Sequence, residues 1–202
     1  MWELFPSLRA VCVGPLGPVA DAPAPRALLP GSFNPLHHGH TQLAAIAAAR
    51  LGVAVHFELS VANVDKPELP RDEAERRAAQ FAGLAPVWLT RAATFGAKAD
   101  LFPGATFVLG WDTAVRVIDP RYYASEPARD DALRKLRDLG CTLVVGGRLD
   151  VAGMFRVWDG ACVADEFAGL FVALTEADFR ADVSSTMLRS SPGSAGVPPA
   201  KR

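Results

Sequence analysis

The sequence predicts an α/β fold: a doubly wound parallel sheet of five to six strands with helices on both faces. Three observations carry this. Short stretches apolar at consecutive positions, such as Thr106–Leu109 and Thr142–Val145, recur along the chain, and strands apolar on both faces belong inside a parallel sheet covered on both sides. Segments with helical periodicity separate them. The segments richest in chemically useful residues follow directly on the strands, where ligands bind in open α/β sheets.

The chain has 202 residues, half of them hydrophobic, enough for one domain with a sizeable core. Residues 1–26 read as an irregular lead-in, punctuated by Gly14-Pro15, Gly17-Pro18, Pro23 and Pro25. Residues 27–190 form the domain, and 191–202 read as a disordered low-complexity tail. Ala27–Leu29 opens the domain as a strand. Thr41–Leu51 is a helix, with Leu43, Ile46 and Ala47 at helical spacing and Gly52 as its stop. Val53–Leu59 is rich in β-formers. Asp72–Leu84 is an amphipathic helix whose Arg71, Arg76 and Arg77 mix with Asp72, Glu73 and Glu75 as a solvated face, with no role assigned. Val87–Thr90 and Thr106–Leu109 are strands, the second ending at Gly110 before a short helix, Thr113–Ile118. Asp130–Leu139 is a charged helix stopped by Gly140, Thr142–Val145 a strand ended by Gly146-Gly147, Phe171–Leu174 the last strand, and Ser184–Arg189 a capped helix.

Composition excludes several classes. The net charge is −1, without the basic excess of a general nucleic-acid binder. Three cysteines, Cys12, Cys141 and Cys162, are odd in number, widely spaced and without a CxxC, which argues against a disulfide framework or structural zinc. Cys141 and Cys162 lie in or beside apolar stretches and read as buried small hydrophobes. No metal site of its own is expected. No signal peptide and no apolar stretch of about twenty residues is evident, so no membrane partner is expected and the default location is cytoplasmic. A Walker A lysine motif is also missing.

The most informative segment is Gly31-Ser32-Phe33-Asn34-Pro35-Leu36-His37-His38-Gly39-His40. It joins the first strand to the first helix. Gly31, without a Cβ, lets backbone approach a ligand. A helix starting near His38 offers unpaired N–H groups and the positive end of a dipole. His37 and His40, three apart, reach the same side of the first turn, where two imidazoles can donate hydrogen bonds to phosphate oxygens. Ser184-Ser185-Thr186-Met187-Leu188-Arg189 adds hydroxyls and amides at a helix start and a guanidinium suited to phosphate; alone it reads as an ordinary capped helix with a surface Arg. Gly110-Trp111-Asp112 has two readings: Asp112 accepts from a ribose or base, or caps the following helix. Trp111 either stacks on a base or narrows the pocket. Asn63 and Lys66 lie in Asn63-Val64-Asp65-Lys66-Pro67, a turn by composition or an acceptor and phosphate clamp. Arg148, after the glycine pair, reaches a phosphate or is simply solvated.

GSFNPLHHGH resembles the HxGH signature of the nucleotidylyltransferase superfamily, and Val183 with Ser184–Arg189 resembles its (I/V)SSTxxR signature. The similarity covers about residues 27 to 190. The run Phe57–Pro67, Leu101–Gly104 and Phe107–Thr113 resembles a branch of nicotinamide-nucleotide adenylyltransferase-like proteins. The resemblance implies a Rossmann-like sheet and transfer of AMP from ATP, with magnesium, to a phosphorylated acceptor, nicotinamide mononucleotide first, giving NAD and pyrophosphate. Other acceptors are phosphopantetheine and phospho-alcohols, CTP is the other nucleotide, and a non-catalytic nucleotide sensor is the other class. It implies catalytic roles for His37, His40, Lys66 and Arg189. Nucleotide contacts are implied for Gly31, Ser32, Phe33, Gly39, Gly110, Asp112, Arg148, Ser184, Ser185 and Thr186, and acceptor contacts for Asn63 and Trp111. Homo-oligomers are common in the superfamily.

Overall fold

A computed structural model describes residues 9–62, 64, 67–150, 152–160 and 163–180. Strands β1 (Ala10–Gly14) and β2 (Gly17–Val19) precede β3 (Ala27–Pro30) and helix α1 (His38–Leu51). Then come β4 (His56–Ser60), α2 (Arg71–Ala79), β5 (Val87–Thr90), α3 (Phe95–Leu101), β6 (Thr106–Gly110) and α4 (Trp111–Ile118). After a 3-10 turn at Pro120–Tyr122 follow α5 (Glu126–Asp138), β7 (Thr142–Gly146), the small hairpin β8 (Arg148–Leu149) and β9 (Phe155–Arg156), a second 3-10 helix (Asp165–Leu170) and β10 (Phe171–Leu174).

The main sheet has the order β10-β7-β6-β3-β4-β5-β1-β2. The six strands from β10 to β5 are all parallel, as the doubly apolar strands require. Val108 of β6 faces one core with Leu43 and Ala47 of α1 and Ala74 and Ala78 of α2. Its neighbours Phe107 and Leu109 face the other, with Ala99 of α3, Val117 of α4 and Leu133 of α5. Helices therefore cover both faces. The central strand β3 is flanked by β4 and β6, so the chain leaves it in both directions. That places the switch in strand order, where such sheets bind ligands, at the carboxyl end of β3.

Two expectations need correction. The sheet has eight strands, not five to six, because part of the lead-in is ordered: β1 pairs antiparallel with β5 and β2 with β1. Pro23 and Pro25 lie in no regular element, while Gly14-Pro15 and Gly17-Pro18, read as irregular, form the hairpin turn and an edge strand. Pro18 is tolerated there, since an edge strand has no partner on one side. The second helix starts at Arg71 and stops at Ala79, not Leu84, because the chain tightens: Phe81 N–H bonds to the Ala78 carbonyl and Leu84 N–H to that of Phe81. Gly52 stops α1 as expected, with φ 65 and its N–H on the Ala48 carbonyl. α3, which shows no periodicity in the sequence, is capped by Thr94, whose hydroxyl accepts from Ala97 N–H at 3.2 Å. It is fixed by a buried ion pair, Lys98 Nζ to Glu58 at 2.8 Å.

Candidate functional site

The loop from Gly31 to His37 crosses the carboxyl end of β3 and feeds α1, with His37 as the extended N-cap residue at φ −144. Both histidines sit on the first turn, as their spacing demands. Their rings stack with centroids 3.7 Å apart at 24°. The His37 N–H donates to His40 Nδ1 at 3.3 Å, so the neutral His40 ring carries its proton on Nε2. Burial, and then the His37 ring, pull His40 down to about 3. Burial and His38 lower His37, whose Nδ1 is buried with no hydrogen-bond partner among the described residues. At neutral pH the site thus offers two uncharged imidazoles at the positive end of a helix. An arriving polyphosphate would favour their protonation, because an opposite charge nearby raises the pKa of a base.

The Phe33 side chain is fully buried. Its ring lies edge-on to His40 at 5.1 Å and packs against Phe57 and Phe81. A Cβ on Gly31 would meet that ring at 2.7 Å. Phe33 folding back over Gly31 therefore by itself requires a residue without a Cβ there. Ser32 is exposed and Gly39 buried in the first turn of α1.

Beside this loop, β6 ends at Gly110, where a Cβ would meet nothing within 4 Å. Gly110 is itself the N-cap of α4. This corrects the capping reading of Asp112, which lies in the first turn, exposed, after a half-buried Trp111. The neighbouring strand ends at Gly146-Gly147. These glycines answer to packing: a Cβ at Gly146 would lie 2.8 Å from Leu43, and one at Gly147 2.5 Å from the Arg156 carbonyl. Arg148, just beyond, donates to Asp112 Oδ1 at 2.6 Å. Two residues predicted separately to reach the nucleotide are thus joined across the ends of β6 and β7. Their side chains stay 40% and 61% exposed, so the pair is open to a ligand.

Asn63, Lys66, Ser184, Ser185, Thr186 and Arg189 lie outside the described residues. Three residues the sequence reading assigned no role come to the site from the end of α2. Arg77 donates to the Ser32 carbonyl at 2.9 Å, Arg76 to Asn34 Oδ1 at 3.1 Å, and Gln80 to the Phe33 carbonyl at 2.8 Å. Glu73 also accepts from both arginines, which is why their spacing reads as a solvated ion-pair face.

A doubly wound sheet with a stacked histidine pair heading the helix after its central strand defines a nucleotide-handling α/β class. The chain belongs to the cytidylyltransferase-like family, within the HxGH nucleotidylyltransferase superfamily: the family's profile matches residues 28–191. That span runs from β3 through the Ser184–Arg189 segment. None of the curated proteins compared with the chain matches it. Membership supports nucleotidyltransferase activity in general. No helix among the described residues is long and apolar enough to cross a membrane.

Proposed function

We propose that this protein transfers AMP from ATP to a phosphorylated acceptor, nicotinamide mononucleotide first, releasing pyrophosphate. The observation that carries the reading is the His37–His40 pair, stacked and uncharged at the start of α1 beside the switch in strand order. An oxygen of the acceptor's phosphate attacks the α-phosphorus in line, the bond to the bridging oxygen breaks, and pyrophosphate leaves with that electron pair. No protein nucleophile is needed; positioning and charge stabilisation suffice. His40, with its proton on Nε2, and His37 donate to the phosphate oxygens on which charge grows. Ser32 orients the same region. Ser184, Ser185, Thr186 and Arg189 are assigned to the leaving pyrophosphate, Lys66 to the phosphates and Asn63 to the acceptor. Asp112 and Arg148 are assigned to the nucleoside, with Trp111 beside the acceptor.

Magnesium would enter with the triphosphate as part of the substrate and would offset phosphate charge there. Among the described residues no group of three His, Cys, Asp or Glu side chains could hold it alone. The choice of acceptor rests on the likeness of residues 57–67, 101–104 and 107–113 to the nicotinamide-nucleotide branch.

The test is magnesium-dependent pyrophosphate release, with ATP and CTP crossed against nicotinamide mononucleotide, nicotinate mononucleotide, phosphopantetheine and small phospho-alcohols, and with His40→Ala alongside. Release with ATP and nicotinamide mononucleotide, lost in the variant, supports the reading. Release with another pair replaces the substrate. Nucleotide binding without release on any acceptor moves the protein to the sensor class.

A further inference from the structure

The loop that carries the histidines is gripped from outside. The Gly31 N–H goes to the Glu58 carbonyl of β4 at 2.9 Å, and further bonds among the described residues come from the end of α2. The Gln80 amide uses both ends. Nε2 donates to the Phe33 carbonyl at 2.8 Å and Oε1 accepts from the Leu36 N–H at 2.9 Å. One side chain thus spans the loop from its buried ring to the residue just before His37. Arg77, only 13% exposed, adds its bond to the Ser32 carbonyl.

This grip falls where the backbone most needs it. Phe33 has φ 44, a left-handed conformation that side-chain-bearing residues rarely adopt and that persists when the surroundings hold it. The carbonyl that Gln80 holds belongs to that residue. The Phe33 ring in turn lies against His40, and His40 stacks on His37. The contacts run unbroken from Gln80 through Phe33 to both histidines.

We propose that Gln80, supported by Arg77, is a positioning residue for the histidine pair: it fixes the loop in the shape that stacks the two rings, without itself touching phosphate. Its meaning for catalysis rests on the transferase reading; its geometry does not.

The test separates the two. Gln80→Leu keeps the bulk and removes both bonds; Gln80→Glu keeps the acceptor for Leu36 and loses the donor to Phe33. The first readout uses ligand-free protein: the imidazole nitrogen NMR spectrum of His40, assigned with His40→Gln. The expected result is one neutral tautomer, protonated on Nε2, in the wild type. Gln80→Leu should show a mixture of tautomers and Gln80→Glu a smaller change. Ser125→Ala, which removes the cap of α5 on the other face of the sheet, controls for loss of stability alone. If Gln80→Leu does not fold, Gln80→Glu reads the same signature. A His40 spectrum unchanged in the Gln80 variants, or changed as much by Ser125→Ala, overturns the proposal. The second readout is affinity for magnesium ATP, expected to weaken about tenfold in Gln80→Leu for two lost hydrogen bonds. If the wild type binds neither ATP nor CTP, the transferase reading fails while the His40 spectrum still decides the positioning role.

Discussion

His40 ties the stability of the fold to pH in a way that can be measured without any substrate. Its imidazole is held at about 3 against an ordinary 6.5, by burial first and by His37 second. The unfolded chain therefore takes up a proton that the folded protein refuses. Above pH 6.5 neither state is protonated and no stability is lost. As pH falls through 6.5 the unfolded state gains, and the loss saturates only below the folded value. From 6.5 down to 5, at about 1.4 kcal/mol per pH unit, the loss is about 2 kcal/mol. His40 is only partly buried, and relaxation there brings the expectation to about 1–2 kcal/mol. The perturbation is His40→Gln, and the assay is urea unfolding of both proteins at about pH 7.5 and about pH 5. The wild type should lose that much more than the variant on acidification. His37 and His56, both lowered by burial, remain in both proteins and largely cancel. Equal losses would refute the picture of a buried, neutral His40 stacked on His37.

Other perturbations test the packing behind the site. Gly31→Ala should cost about 1–3 kcal/mol by overpacking, since the new methyl meets Phe33 at 2.7 Å; adding Phe33→Leu should recover part of it in urea unfolding. Lys98→Met takes the cation from the fully buried Glu58 carboxyl and should cost about 3–5 kcal/mol. Combining it with Glu58→Gln should return some of that, read as a shift in the unfolding midpoint. Asp112→Asn breaks an exposed pair and should change stability by less than about 1 kcal/mol, while its effect on ATP affinity, read by titration, reports whether the pair meets the nucleotide.

The strands were legible because burial on both faces leaves a mark in one dimension. Val87–Thr90 and Phe171–Leu174 fall at the bounds their apolar runs predict. β1 was not, because Ala10–Val13 is a short run set among prolines and glycines that, alone, signal irregular chain. Its order comes from pairing with β5, some seventy-five residues away in sequence. α3 is held by Lys98 reaching Glu58 across the sheet, a tertiary cause with no periodicity to show for it. At the site, the histidine spacing sufficed to place both rings. The burial of the Phe33 ring was not legible, because an aromatic residue in a ligand loop reads alike whether its side chain faces the ligand or the core. Gln80 was invisible: nothing in local sequence shows that the end of a helix turns its side chain toward a loop 44 residues earlier.

The family match begins at residue 28, yet the sheet does not. Val11 lies in one core and Cys12 in the other, while the backbone of β1 covers β5 from Val87 to Thr90. Trimming the chain at the matched boundary would bare the hydrogen-bonding groups of a wholly buried strand, a ready template for a strand from another molecule. The three-residue β2, with Pro18 in it, is by contrast a poor template. Clustering of such a shortened protein would then report a missing edge guard, and would say nothing about how the intact molecule assembles.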